Sequence, residues 1–162
     1  MDLSAQHDAP VDAEAERMFA SHVGRMARSG GDPATILIVD DERVVRTAMR
    51  HVLAKYGYTV LEAANGADAL QLIRDRAVPI DLLVTDVVMP GMSGLALVEA
   101  AEREEPGLPV IYISGQMHEP ITQQAMDIEQ RWVLAKPLYP AMLMAAVQGA
   151  LAYGTEQLGT DR

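Results

Sequence analysis

The chain has 162 residues, 49% hydrophobic and 22% charged, enough for one domain with a full core. A formal net charge of −10 argues against a nucleic-acid surface, which needs clustered Lys and Arg, and leaves proteins and cations as partners. Cysteine is absent, which excludes disulfides, thiol chemistry and Cys-type zinc sites, and no apolar run approaches the roughly 20 residues of a membrane span.

The N-terminal stretch MDLSAQHDAPVDAEAE is acidic and has no apolar signal core, so the expected location is the cytoplasm. Residues 11–28 read as an amphipathic helix, with Val11, Ala15, Met18, Phe19, Val23 and Met26 at three- and four-residue steps. Acids lead this segment and arginines end it, which suits the helix dipole. Ser29–Pro33 (SGGDP) breaks it, so residues 1–34 are expected to be an extension with a Gly/Pro linker. Its apolar stripe is a candidate surface for docking a partner or a second copy.

Strand-like and helix-like segments then alternate. TILIV (35–39) reads as a buried strand, and Arg43–Lys55 as a helix with Val44, Val45, Ala48, Val52 and Leu53 inward. YTVLEA (58–63) follows a Gly57 stop. Gly66–Arg74 reads as a helix with Ala67, Leu70 and Ile73 inward. IDLLVT (80–85) is a strand, Ser93–Arg103 a helix capped by Ser93, and PVIYI (109–113) a strand. Glu119–Gln130 is a polar helix, WVLA (132–135) a short strand, Tyr139–Tyr153 a helix, and 154–162 a flexible tail. Five strands alternating with five helices imply an α/β fold with a parallel sheet covered on both faces.

In such sheets, sites form at the carboxyl edge of the strands. Asp40 and Asp41 follow the first strand, Asp86 the third, Ser114 the fourth and Lys136 the fifth. Carboxylates this close repel one another unless they share a cation. Hard oxygen ligands suit Mg²⁺ better than a transition metal. A carboxylate beside such an ion can attack a phosphoryl group and form an acyl phosphate. Lys136 can bind a phosphoryl oxygen as a point charge, and Ser114 can donate to another. Gly115 leaves room beside them.

The pieces ILIVDDE, GYTVLEAANGADAL, DLLVTDVVMPGMSG, PVIYISG and LAKPL together resemble a response-regulator receiver domain over residues 35–153. The wording is nearest to receivers of hybrid histidine kinases. The resemblance implies a flavodoxin-like (βα)₅ doubly wound sheet of order 2-1-3-4-5. It implies phosphorylation of Asp86 by a histidine kinase or a histidine phosphotransfer protein. It implies Mg²⁺, or Mn²⁺ in its place, held by Asp41, Asp86 and the Val88 backbone carbonyl, with Asp40 acting mostly through water. Ser114 carries over as the switch hydroxyl and Lys136 as the phosphate-binding lysine, with Lys136–Pro137 a candidate cis peptide. The chain is then a phosphoacceptor, not an enzyme. It signals by protein contact through its fourth helix, fifth strand and fifth helix, or shuttles phosphate. That face or the N-terminal helix could join two copies. No nucleic-acid or membrane partner is expected.

Two departures stand out. Many receivers carry an aromatic residue three positions before the lysine; here it is Val133, preceded by Trp132, which should face the opposite side of the sheet. Val88 and Gln116 occupy positions that tune phosphoryl lifetime in the family. An apolar Val88 cannot orient an attacking water, so slow self-dephosphorylation is expected. His118 reads as a solvated loop residue. The alternatives are a receiver-fold module that is never phosphorylated, and a receiver fragment of a hybrid histidine kinase. An aspartyl-phosphate phosphatase lacks its second acid at Val88, and a flavin-binding protein would need donors where Asp40 and Asp41 stand.

Overall fold

Segments that are apolar at nearly every position, such as TILIV and VIYIS, lose their exposed surface only in a sheet covered on both faces. The computed structural model describes residues 31–128 and 131–159, and builds that sheet. The strands are β1 (Thr35–Val39), β2 (Thr59–Ala63), β3 (Leu82–Asp86), β4 (Val110–Ser114) and β5 (Trp132–Ala135). The helices are α1 (Arg43–Lys55), α2 (Gly66–Asp75), α3 (Gly94–Glu104), α4 (Pro120–Met126) and α5 (Pro140–Gly159). All strand pairs are parallel, in the expected order β2-β1-β3-β4-β5. The expected N-terminal helix at 11–28 lies outside the described residues. Among them, no helix is long and apolar enough to cross a membrane.

Alternation along each strand splits the core in two. Ile36, Ile38, Val84, Ile111 and Ile113 face α1 and α5, where Leu53, Leu143, Met144 and Val147 pack on them. Leu37, Val39, Leu83, Val110 and Tyr112 face α2, α3 and α4, against Leu70, Ile73, Leu97, Val98 and Ala125. Burial of each such Leu, Ile or Val contributes roughly 1.5–3 kcal/mol before the chain's ordering entropy is counted.

The starts of α2 and α3 follow the capping rules. The Asn65 side chain accepts from Asp68 N–H at 2.8 Å, and Ser93 Oγ accepts from Ala96 N–H at 3.2 Å, the cap expected there. Gly57, at φ +88°, turns the chain out of α1 into β2.

Four expectations are corrected. The inward face of α1 is Val45, Met49, Val52 and Leu53; Val44 is 80% exposed and Ala48 also faces solvent. The stripe is turned by one residue because Val45, Met49, Val52 and Tyr56 share a face at three- and four-residue steps, which leaves Arg46 at the sheet edge, donating to the Asp40 carbonyl at 2.7 Å and pairing with Glu62. In α2, Ala69 is buried and Ala67 is not. The tail expected at 154–162 is helical through Gly159, as the end of α5. Gly154 permits this, since a Cβ there would meet the Pro109 ring at 2.8 Å. The polar helix is also shorter than expected, ending at Met126.

Tyr112 lies fully buried in β4 with no hydrogen-bond partner for its hydroxyl. Burial pushes that phenol up to about 12. The folded chain therefore keeps it neutral while the unfolded chain ionises it near pH 10, so stability falls as pH rises between those values. Tyr112→Phe is expected to match or exceed the wild type at pH 8, because an unpaired buried hydroxyl is removed. At pH 11 the wild type should lose about 1 kcal/mol that the variant keeps. Urea unfolding at the two pH values measures both.

Candidate functional site

The strand register decides which side chains meet. Val39 is level with Thr85, so Asp40 emerges beside Asp86. Asp86 is level with Ile113, and Ser114 with Ala135, so Ser114 and Lys136 follow along the same carboxyl edge. Four strand ends thus deliver three acids, a hydroxyl and an ammonium to one place.

Lys136 holds the centre. Its Nζ donates to Asp86 Oδ2 at 2.8 Å and lies 3.0 Å from Asp40 Oδ2 and 3.5 Å from Glu42 Oε1. Asp86 is only 5% exposed, and its Oδ1 accepts from Val88 N–H at 3.2 Å. Asp40 is fully buried; its Oδ1 accepts from Glu42 N–H at 2.8 Å, turning the chain into α1. Asp40 Oδ2 is ion-paired with Nζ but has no aligned hydrogen bond. Asp41 is exposed at the rim.

These neighbours set the charges. Burial pushes the Asp86 carboxyl above the usual carboxylate range; Lys136 opposes this, and the charge of Asp40 adds to it. Burial alone would lower the Lys136 ammonium. Its hydrogen bond to Asp86 and the close charges of Asp40 and Asp86 outweigh that and hold it above the usual lysine range.

Carboxylate oxygens of Asp40, Asp41 and Asp86 lie within 4.8 Å of one another. Three acids against one ammonium leave a surplus of negative charge. With a buried oxygen on Asp40 lacking a hydrogen bond, this donor set fits a hard divalent cation.

Ser114 reaches the same edge, but its hydroxyl bonds to Gln116 and Thr122 rather than to Asp86. Oγ accepts from Gln116 N–H at 3.0 Å and lies 2.9 Å from Thr122 Oγ1 on α4. Gly115 is open, a Cβ there meeting only the Lys136 stem at 3.7 Å. The Lys136–Pro137 peptide is cis, as expected.

The response regulator receiver domain matches residues 36–148. The chain belongs to the response regulator receiver family. It is similar to the sensor kinase CckA of Brucella abortus, with 31% identity over 144 residues, covering 89% of this chain and 15% of that protein. It is similar to the transcriptional regulatory protein FixJ of Azorhizobium caulinodans, 33% identical over 122 residues, 74% of this chain and 56% of that one. This receiver therefore spans 15% and 56% of the length of these two curated relatives. Among solved structures, the receiver domain from the hybrid histidine kinase CckA aligns at TM-score 0.63 with 36% identity, over 73% of this chain and 99% of that one. A CheY-like receiver from Methanospirillum hungatei aligns at TM-score 0.70 with 25% identity, over 77% and 98%.

In this receiver the position that often carries an aromatic is filled by Val133, which packs into the apolar layer under α4. Trp132 faces the other side, its ring seated on Gly149 of α5, so it does not substitute. His118 is exposed, as expected.

Two residues at this receiver's site were not singled out in the sequence. Thr122 sits in a polar segment where nothing distinguishes it from its neighbours. Gly94, at the start of α3, looks like part of a turn. Yet a Cβ on Gly94 would overlap the Asp86 carbonyl oxygen and reach the Asp86 carbonyl carbon at 3.0 Å. The bond from Gly94 N–H to the Val87 carbonyl, 2.9 Å, needs that close approach. Gly94→Ala should therefore cost roughly 1–3 kcal/mol in urea unfolding, as overpacking does. It should also displace the Asp86 and Val87 amide resonances in a ¹⁵N correlation spectrum more than those of β1.

Proposed function

We propose that this receiver accepts a phosphoryl group on Asp86 from a phosphohistidine of a histidine kinase or phosphotransfer protein. A carboxylate oxygen of Asp86 forms the new P–O bond as the donor's P–N bond breaks, leaving an acyl phosphate and a free imidazole. The observation that carries this reading is the Lys136 Nζ 2.8 Å from Asp86 Oδ2, on a carboxylate backed by two further aspartates.

Each residue has a part. Lys136 stays charged under all ordinary conditions, since its neighbours hold its ammonium up, and can move from Asp86 to a phosphoryl oxygen. Val88 N–H pins one carboxylate oxygen while the Val88 side chain, 43% exposed, leaves the approach open. Ser114 supplies a hydroxyl that turns to the phosphoryl group. Asp40, Asp41, Asp86 and the Val88 carbonyl would hold Mg²⁺ or Mn²⁺, which neutralises charge on the transferring group when bound. Val88 offers nothing to orient a water for attack on the acyl phosphate, so the phosphoryl group is long-lived.

Phosphorylation biases the receiver toward the conformation that binds the phosphoryl group better. Output runs through the face of α4, β5 and α5, where Met126, Trp132, Tyr139 and Met142 are exposed. The receiver acts there on a protein partner or returns the group to a phosphotransfer protein, in the cytoplasm.

Incubation with acetyl phosphate and Mg²⁺, read by intact mass, tests the reading. One phosphoryl adduct is expected, lost with a chelator and absent in Asp86→Ala. An adduct that survives in Asp86→Ala, or no adduct at all, contradicts it.

A further inference from the structure

The phosphoacceptor reading leaves open how occupancy of Asp86 reaches the output face, because the ring expected at Val133 is absent. The hydrogen bonds of Ser114 supply an answer, and it rests on that reading.

Ser114 Oγ is committed on two sides, accepting from Gln116 N–H and bonded to Thr122 Oγ1. A hydroxyl has one proton and two lone pairs, and both known partners draw this one toward α4. The Asp86 carboxylate takes its bonds from Lys136 and Val88, not from Ser114. Ser114 and Thr122 are both shut off from water. Thr122 and Ala125 are the only buried residues of α4, while Gln123, Gln124 and Met126 face solvent. This short helix therefore rests on Thr122, Ala125 and the half-buried Ile121, and Thr122 is the polar anchor among them. Tyr112, level with Val133 on the neighbouring strand, is the aromatic residue on this face. It is fully buried, in the same apolar layer as Ala125.

We propose that Thr122 is the positioning residue of the switch: its hydroxyl holds Ser114 away from Asp86, and its release carries the signal into α4. When Ser114 turns to a phosphoryl oxygen, Thr122 Oγ1 is left buried without its partner. A buried unpaired hydroxyl is costly, so α4 shifts until Thr122 finds water or another acceptor. By the same linkage, the Ser114–Thr122 bond disfavours phosphorylation, since it stabilises the conformation in which Ser114 is turned away.

The test uses the full chain with acetyl phosphate and Mg²⁺, reading the initial rate of adduct formation by intact mass. Thr122→Val keeps the shape and removes the hydroxyl. The rate should rise roughly three- to tenfold, the worth of one net hydrogen bond. Thr122→Ser should return it to near the wild-type rate. In a Ser114→Ala background Thr122→Val should have no effect. An unchanged rate in Thr122→Val overturns the proposal, as does an equal change with and without Ser114, which would mark a packing effect. If Thr122→Val does not fold, amide resonances of Ile121–Ala125 with beryllofluoride and Mg²⁺ decide the matter. They should shift in the wild type and hold still in Ser114→Ala; equal shifts in both overturn the proposal. No adduct on the wild type would refute the phosphoacceptor reading and this proposal together. A normal adduct with no Thr122 effect refutes this proposal alone.

Discussion

One ammonium makes the acidic pocket tolerable. Asp40 and Asp86 are buried at adjacent strand ends, and two desolvated carboxylates at that range repel strongly. Lys136 reaches both at 3.0 Å or less. It turns a repulsive pair into an ion triad. The same contact keeps a positive charge against the oxygens where a phosphoryl group would arrive, and leaves negative charge over for a divalent cation. Stability and reactivity here draw on one interaction.

That interaction depends on register. A parallel sheet of order β2-β1-β3-β4-β5 places β1 and β3 side by side, and the residue after β1 beside the last residue of β3. Lys136 comes from the edge strand and crosses β4 to reach them. It arrives only because the backbone of β5 is tied to β4, Lys136 N–H donating to the Ser114 carbonyl at 2.8 Å. Gly94 contributes from the other side by letting α3 begin against the Asp86 backbone. The chemistry-bearing side chains are few, but their placement depends on the whole sheet.

Much of this was legible in the sequence. The five apolar runs, their alternation with amphipathic stretches, and acids or a lysine directly after strands led to the fold and to Asp40, Asp41, Asp86 and Lys136. Less legible was anything that depends on rotation rather than spacing. Val44 and Val45 are equally apolar, yet Val45 turns inward with Met49, Val52 and Tyr56 while Val44 faces solvent. Ser114 was placed at the site by its position after β4, but the direction of its hydroxyl depends on Thr122, eight residues on, across a loop. Gly94 and Gly154 look like turn or stop residues in one dimension. Their reason is steric, and lies in Asp86 and Pro109.

The claim that Lys136 holds the buried acids together is tested most directly by urea unfolding of Lys136→Met, with chelator and with Mg²⁺. Without a divalent cation the variant should lose roughly 3 kcal/mol, as a buried pair does when one partner is removed. Mg²⁺ should recover most of that loss and stabilise the variant more than the wild type, because the ion and the ammonium offset the same charges. A variant as stable as the wild type in chelator, or a deficit that Mg²⁺ leaves untouched, would contradict the account.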